Sequence, residues 1–220
     1  MDVLEAIFGR RSIRKFKKDT IPYRVLFDIF EAAVSAPRAG NIPSTWMVLI
    51  ESDNIKEKLK NACIDQDWIA EAPVIVAVCS DIKRLKQVYG EQSELYSIQN
   101  SSAVIQNMLI AAREYDLQGT WIGAFSESDV RKVLSIPKKI NVHALIALGK
   151  ADETPKKIPT VQATDLVYYE KWKASNKASK LIPLSNNPKI QKTIQQARKR
   201  SQKTRDKFIK RFGKTIKHFK

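Results

Sequence analysis

The stretch Arg10-Arg11-Ser12-Ile13-Arg14-Lys15-Phe16 places three arginines and one hydroxyl within five residues. A guanidinium is a planar fork of hydrogen-bond donors that matches the oxygens of a phosphate, and a serine hydroxyl can complete such a cradle. The stretch follows a short apolar segment, residues 3–8, whose pattern predicts a helix. We call residues 10–16 the basic stretch. Taken by itself, it indicates either a phosphate-binding loop or a solvated, positively charged surface.

The surplus of positive charge lies at one end of the chain. The net charge of +16 comes from 39 lysines and arginines and 23 acidic residues. Residues 173–220 hold 16 of those basic residues but a single acid, Asp206, so residues 1–172 are close to neutral. We therefore predict a globular domain over residues 1–172 and a basic, helical extension over residues 173–220, with the boundary near Trp172.

Helical and strand patterns alternate through the first 150 residues. Unbroken apolar runs at residues 46–50 and 73–79 predict strands that are covered on both faces. The longest helical pattern, residues 98–115, is apolar on most sides and predicts a central, buried helix. Four predicted strands interleaved with helices indicate an α/β or an α+β sandwich. The other predicted elements are helices over residues 25–34, 55–63 and from Ser126 onward, and strands over residues 119–125 and 144–149.

Composition argues against several classes of protein. No apolar run approaches the roughly 18 residues of a membrane span, and the acidic start of the chain does not resemble a signal peptide. Cys63 and Cys79 lie in apolar surroundings outside any metal-ligand spacing, which predicts reduced core thiols in a cytoplasmic protein. His143 opens a predicted strand and is expected to be a hydrogen-bonded core residue. No metal site is predicted.

Three predicted loops are lined by small residues, at residues 37–41, at Gly123-Ala124 and at Gly149-Lys150. Glycine lets backbone N–H groups come close to a ligand, so these loops could hold a flat cofactor. Ordinary turns would account for the same residues. The residues alone leave both interpretations open.

Several short sequence blocks occur along the chain in an order that resembles a known family. They are the basic stretch, Ser35-Ala36-Pro37-Arg38-Ala39-Gly40-Asn41, Gln106-Asn107-Met108-Leu109-Ile110-Ala111-Ala112, Trp121-Ile122-Gly123-Ala124-Phe125, Ala147-Leu148-Gly149 and Leu166-Val167-Tyr168-Tyr169-Glu170-Lys171-Trp172. In this order they resemble the nitroreductase family of FMN-dependent oxidoreductases, over about residues 1–172. The strand-like residues 166–169 would, by this resemblance, reach across to a partner subunit.

The resemblance implies an α+β sandwich, with a central, mainly antiparallel sheet flanked by helices, in an intertwined homodimer. Two FMN sites would lie at the dimer interface. By carry-over, the residues that hold the FMN phosphate and ribityl chain are Arg10, Arg11, Ser12 and Arg14. Those that line the flavin ring bound mainly by the other subunit are Pro37, Arg38, Ala39 and Asn41. Backbone contacts near the reactive edge of the ring would come from Gly123 and Ala124.

This chain departs from the family pattern at several positions. Arg38 stands where the family often has Ser or Thr, and the loop after Asn41 lacks a glutamine and is one residue longer. Asn100 stands where an aspartate is common. Thr160-Val161 replaces a late Arg-Lys pair, for which Lys156 or Lys157 could substitute. FMN binding is expected to survive these changes, whereas the substrate pocket is expected to differ.

The resemblance implies that electrons pass from NADH or NADPH through the flavin to a small-molecule acceptor, such as a nitro compound, a quinone or a similar conjugated molecule. The two substrates would use one site in turn, by a ping-pong mechanism. The cofactor carries the chemistry, so no catalytic triad is predicted. Arg38 is the side chain expected to tune the site, as a cation that favours the reduced, anionic flavin or holds an anionic acceptor or the nucleotide phosphate. The alternative interpretation is that Arg38 points to solvent.

Two other functions are considered. A specialised family member, such as a reductive dehalogenase or a flavin-consuming enzyme, is compatible with the altered loop after Asn41. A nucleic-acid or anionic-surface binding protein could instead use the flavin fold as a dimerising scaffold. The extension over residues 173–220 bears on this choice, because its apolar residues recur every three or four positions beside many lysines and arginines. It is interpreted either as a solvated tail or as a helix that contacts nucleic acid or an anionic membrane surface.

Overall fold

One antiparallel sheet organises the fold, and we describe it from a computed structural model. The structure describes residues 1–155, 161, 163–168 and 170–172. Four strands are found in this part of the chain, and their order in the sheet is β1-β2-β4-β3. Every neighbouring pair is antiparallel. The strands are β1 (Thr45–Ile50), β2 (Val74–Ser80), β3 (Gln118–Ile122) and β4 (Asn141–Gly149).

Within the unit formed by Leu4–Pro155, helices pack on both faces of this sheet. The other described residues, Met1–Val3 and those after Pro155, belong to a second unit. Within the second unit, the rings of Tyr168 and Trp172 meet edge to face at 4.9 Å. The helices are α1 (Val3–Gly9), α2 (Tyr23–Val34), α3 (Asp53–Ala62), α4 (Trp68–Glu71), α5 (Lys83–Tyr89), α6 (Ser93–Ala111), α7 (Glu127–Leu134) and α8 (Ala163–Leu166).

Alternation along β2 divides the core of the Leu4–Pro155 unit into two layers. All seven residues of β2 are buried, and successive side chains of a strand point to opposite faces. Val74, Val76 and Val78 pack with residues of α2 and α6, whereas Ile75 and Cys79 pack with residues of α3, α4 and α7. The sheet is therefore covered by helices on both sides, which confirms the predicted α+β sandwich and the predicted buried strand at residues 73–79.

The prediction that residues 46–50 form a strand covered on both faces is wrong in one respect. The strand exists as β1, but it lies at an edge of the sheet, paired with β2. Trp46 is 61% exposed, and full burial is reached at Ile50. An apolar run predicts a strand but cannot distinguish an edge strand from a central one, because that depends on which strand pairs with which.

The predicted central helix exists as α6, but the prediction that it is buried on most sides is wrong. It begins at Ser93, five residues before the predicted start, and Ile98 is 51% exposed. Its buried side carries polar residues, including Ser97 and Asn100, whose side chains are hydrogen-bonded. Satisfied polar groups can be buried at little cost, which is why an apolar pattern missed this face. The helix ends at Ala111, and a 3-10 turn continues to Tyr115.

Other predictions fall on shorter elements. Helix α3 was predicted, whereas α4 and α5 were not. A strand was expected at residues 166–169, but the structure shows none in residues 166–168, the part of this segment that it describes. Leu166 ends α8, and the two residues after it lie in neither a helix nor a strand. Lys156, Lys157, Thr160 and the extension over residues 173–220 lie outside the described residues. Among the described helices, none is long and apolar enough to cross a membrane.

Candidate functional site

The backbone of the basic stretch is fixed to β3 by two polar side chains of that strand. The N–H of Arg11 donates to Oε1 of Gln118 at 3.1 Å. The N–H of Ile13 donates to the hydroxyl of Thr120 at 2.8 Å, and the same hydroxyl donates back to the carbonyl of Ile13 at 2.5 Å. Ile13 is fully buried, so its neighbours Ser12 and Arg14 are turned outward and are exposed. Gln118 and Thr120 are not identifiable from the sequence, because no local pattern pairs them with residues 107 positions away.

The four predicted phosphate ligands differ in how far their side chains are already used. The guanidinium of Arg11 donates to the carbonyls of Phe8 and Arg10 at 2.8 and 2.7 Å, at the end of α1. Arg14 lies over the ring of Trp68, with 5.8 Å between its guanidinium carbon and the ring centroid. No side-chain hydrogen bond or ion pair is found for Arg10 or Ser12 among the residues that the structure describes. Their donors therefore remain available to a ligand.

One carboxylate already occupies the backbone N–H groups of this stretch. Oε1 of Glu153 accepts from the N–H of Arg14 at 2.5 Å and from that of Lys15 at 3.2 Å. The chain at Lys17 also pairs with Lys150, through an N–H···O bond of 2.9 Å. An anion at the basic stretch must therefore be held by side chains rather than by these two backbone amides.

Asn100 on α6 bonds both ends of the segment from Ala39 to Ser44, which begins within the predicted loop at residues 37–41. Its Oδ1 accepts from the N–H of Ala39 at 2.9 Å, and its Nδ2 donates to the hydroxyl of Ser44 at 3.1 Å. Both Asn100 and Ser44 are buried. Gly40 and Asn41, between these ends, have φ of 55° and 54° in the left-handed region. The positive φ of Gly40, together with a position for Cβ only 2.5 Å from the hydroxyl oxygen of Tyr89, favours glycine at this turn.

Arg38 and Pro37 are exposed on this loop, and Ala39 is half-buried. Nε of Arg38 donates to Oδ1 of Asn41 at 3.0 Å, and a longer contact of 3.4 Å joins its Nη1 to the carbonyl of Val34. Within the described part of the chain, no acidic side chain forms an ion pair with Arg38. A cavity of about 110 Å³ lies beside the loop, lined by Val34, Ala36, Arg38, Pro43, Ser44, Thr45, Met47, Asn100 and Val104.

The predicted loop at Gly123-Ala124 follows β3 directly and is exposed. No atom lies within 4 Å of the position that a Cβ on Gly123 would take. The backbone there is open to a ligand. Since β3 also fixes the basic stretch, one edge of the sheet carries both groups of predicted ligands.

The loop at residues 37–41 lies elsewhere in the same chain. It precedes β1, and β1 and β3 are the two edges of the described sheet. Three spacings between strands separate these edges by roughly 14 Å across the sheet. Through β2 and β4, Thr45 aligns with Asn141 whereas Thr120 pairs with Ala147, which adds roughly 20 Å along the strands. In one protomer the basic stretch and Gly123-Ala124 are therefore both attached to β3, whereas residues 37–41 precede the opposite edge strand.

His143 is half-buried and contacts two buried serines. Its Nε2 is 2.7 Å from the hydroxyl of Ser80 and 3.2 Å from that of Ser97, and Ser97 donates to Ser80 at 2.6 Å. Burial lowers the pKa of His143 below its usual value, and the nearby charge of Glu127 opposes that shift. The expected hydrogen bonding of His143 is confirmed, although its side chain is half-buried rather than fully in the core. Cys63 and Cys79 are buried and unpaired, and burial raises the pKa of each thiol to about 11, so neither is a reactive thiolate.

Comparison with known proteins identifies the class. The profile of the Nitroreductase family matches residues 7–66 and 62–150. The chain therefore belongs to the nitroreductase family, as its sequence blocks predicted. The match covers the basic stretch, the loop at residues 37–41 and Gly123-Ala124.

Three relatives illustrate the likeness. A Methanothermobacter thermautotrophicus protein, provisionally named NADH dehydrogenase/NAD(P)H nitroreductase, is 30% identical over 78% of this chain and 88% of its own. The NADPH-flavin oxidoreductase of Vibrio harveyi is 25% identical over 80% of this chain and 76% of its own. A solved structure of the Vibrio harveyi NADPH:FMN oxidoreductase with NAD⁺ superposes with a TM-score of 0.71 at 22% identity, covering 88% of this chain and 84% of that one. These names agree with the predicted enzyme class, an NAD(P)H oxidoreductase, and with the predicted cofactor, FMN.

Proposed function

We propose that the protein is an FMN-dependent oxidoreductase that passes electrons from NADH or NADPH to a nitro compound, a quinone or a similar conjugated acceptor. The observation that carries the proposal is the basic stretch, whose backbone is fixed on β3 while the side chains of Arg10 and Ser12 keep free donors. Membership of the nitroreductase family gives the reaction type. The acceptor itself is proposed only as a chemical class.

The residues of the site fit FMN. Arg10, Ser12 and Arg14 present two guanidiniums and a hydroxyl to the phosphate, and Arg11 fixes the turn that displays them. Gly123 and Ala124 leave open backbone for the flat ring on the same sheet edge. When bound, FMN supplies the hydride and electron transfer between the nucleotide and the acceptor. The protein binds and orients the reactants, and one site that takes the two substrates in turn would give ping-pong kinetics.

We also propose that the site is completed by a second copy of the chain. What supports this is the strand order, because residues 37–41 precede edge strand β1 whereas the basic stretch of the same protomer is bonded to the opposite edge strand, β3. In a homodimer, the loop of one chain can cover the flavin held by the other. Light scattering coupled to size-exclusion chromatography tests this directly, since a flavin-loaded monomer would contradict it.

The experiment that tests the function compares FMN with riboflavin. The purified protein should show the visible flavin band, and NADH or NADPH should bleach that band under anaerobic conditions. The apoprotein should bind FMN more tightly than riboflavin, which lacks only the phosphate. Absence of any flavin binding, or of bleaching by both nucleotides, would overturn the proposal.

A specialised reaction remains the second candidate, and one observation favours it. The loop after Asn41 differs from the family pattern in sequence. In this chain Asn100 bonds Ser44 at the end of that loop, and Arg38, three residues before Asn41, donates to the Asn41 side chain. A reductive dehalogenase would release halide from a halogenated aromatic in place of reducing a nitro group. A panel of halogenated and nitro acceptors, assayed with the same reduced enzyme, distinguishes the two reactions.

A further inference from the structure

The side chain of Arg38 is mounted on a backbone that has little freedom. Asn100 bonds to Ala39, the next residue, and also to Ser44 at the far end of the loop. The peptide N–H of Asp81 adds a third bond, to the carbonyl of Ser44 at 3.0 Å. Nε of Arg38 is in turn tied to Asn41. Such preorganisation lowers the entropy that a ligand must overcome when it binds the guanidinium.

The guanidinium of Arg38 has hydrogen-bond donors that no described residue accepts from. An arginine carries five N–H donors, and here Nε bonds Asn41 while Nη1 makes one long contact with Val34. The Nη2 group has no partner among the described residues, and the side chain is exposed. Within the same part of the chain, no carboxylate neutralises this charge. A planar fork that is fixed, cationic and unpaired matches the two oxygens of a carboxylate or phosphate.

The cavity beside Arg38 adds an apolar wall to this charged group. Val34, Ala36, Met47 and Val104 supply aliphatic lining on the side of α2 and α6. Its volume is about 110 Å³. An apolar cavity of about 150 Å³ accommodates a benzene ring, so this cavity has room for part of a ring or for a ring substituent. The combination suits a small aromatic molecule that carries an acidic group.

We infer that Arg38 is a specificity residue that binds an oxyanion carried by a substrate of this enzyme. The inference rests on the proposed function, because it requires residues 37–41 to face the flavin of the partner chain. The oxyanion has two sources, either the carboxylate of an aromatic acceptor or the 2′-phosphate of NADPH. The cavity lining favours the acceptor.

The test compares substrates that differ only in charge. The value of kcat/KM is measured for 4-nitrobenzoate and for the neutral 4-nitrobenzamide, with NADH as donor, and then for NADPH and NADH with the neutral acceptor. In Arg38→Ala, the ratio of nitrobenzoate to nitrobenzamide is expected to fall about 10- to 100-fold, the effect of losing a charged hydrogen bond. Arg38→Lys, which keeps the charge but loses the fork, should retain part of that ratio.

Arg24→Ala is the matched control, because it also removes one arginine, at the start of α2, whereas Arg38 follows the end of that helix. It should leave the nitrobenzoate to nitrobenzamide ratio and the NADPH to NADH ratio unchanged. If the fall appears in the NADPH to NADH ratio instead, the oxyanion is the nucleotide phosphate. Equal losses for charged and neutral substrates, or no loss, would overturn the inference while the flavin band and bleaching still support the proposed function. If the wild-type protein binds no flavin, the proposed function fails first. Equilibrium dialysis of 4-nitrobenzoate then decides the inference, since equal binding by wild type and Arg38→Ala overturns it.

Discussion

At the scale of single residues, the basic stretch separates arginines that are free to bind a ligand from one that is not. Arg10 has no side-chain partner among the described residues, whereas Arg11 is bonded to two carbonyls at the end of α1. The sequence predicted all of them as phosphate ligands, because residue type and spacing do not reveal which donors the chain itself uses. The difference depends on where α1 ends, and that becomes visible only in the folded structure.

Replacing Arg10 or Arg14 by Ala should weaken FMN binding by about 1.5–3 kcal/mol, the contribution of a hydrogen bond to a charged group. Riboflavin binding should change little, because riboflavin has no phosphate for these side chains to hold. Fluorescence titration of the apoprotein with both ligands measures the two affinities. If an Arg10→Ala, Arg14→Ala double variant binds FMN as tightly as the wild type does, these two residues are not phosphate ligands.

Thr120 holds the basic stretch through one hydroxyl that both accepts and donates. The near-isosteric change Thr120→Val would leave the N–H and carbonyl of buried Ile13 without partners, at a cost of about 1–3 kcal/mol for each unsatisfied group. We expect a lower free energy of unfolding and weaker FMN binding together. Urea denaturation measures the first and flavin titration the second. Thr120→Ser keeps the hydroxyl, so a serine variant as unstable as the valine variant would contradict this account.

At the scale of helices and strands, local patterns predicted the central parts of the fold better than its edges. Four of the seven residues of β2 are β-branched and all seven are buried, so its composition and its position agree. Strand β1 has a similar composition but lies at the edge, and α6 buries serines against β1 and β2. The edge position of β1 and the burial of serines on α6 both depend on contacts with residues that are distant in sequence. Ser97 and Ser80 are 17 positions apart, and Ser44 and Asn100 are 56 apart.

The cluster of His143, Ser80 and Ser97 joins β4, β2 and α6, and it predicts how stability depends on pH. Burial lowers the pKa of His143 in the folded protein below the value of 6.5 that it has when unfolded. Between these two pKa values the unfolded chain binds more protons, so the free energy of unfolding should fall as the pH drops below 6.5. The fall should level off once the pH is below the folded pKa.

The variant His143→Gln removes this proton-binding group and retains a hydrogen-bond acceptor for Ser80. Urea denaturation at about pH 7.5 and about pH 5.5 gives the pH dependence for both proteins, and His218, present in both, cancels from the comparison. The wild type should lose more stability on acidification than the variant does. Identical pH profiles would show that His143 is not held neutral by burial.

At the scale of the whole molecule, the family and the sandwich were predictable because several modest sequence blocks occur in one order. The division of the site between two edges of the sheet was not predictable from the residues, since the strand order β1-β2-β4-β3 is a property of pairing. The resemblance had assigned residues 37–41 to the other subunit's flavin, and the distance between the sheet edges supports that proposal. The domain boundary near Trp172 stays a prediction.

The extension over residues 173–220 lies outside the described residues, and its role is predicted from charge. If it contacts phosphates, binding to DNA or RNA should be insensitive to sequence and should fall roughly 10³-fold or more between about 50 and 200 mM salt for six or more contacts. A gel-shift salt series on full-length protein and on a chain that ends at Trp172 measures this. Equal binding by both chains, or none by either, would leave the extension as solvated charge.

The bond between Ile13 and Thr120 also governs when, during synthesis, the protein can acquire its cofactor. The two residues are 107 positions apart. At about 5–20 residues per second, a ribosome needs roughly 5–20 seconds to add that much chain. Throughout this interval the arginines of the basic stretch have emerged without the strand that fixes them. The nascent protein therefore spends the synthesis of these 107 residues, nearly half of the 220, with an unassembled phosphate cradle, and flavin loading belongs to the end of synthesis or to the period after release.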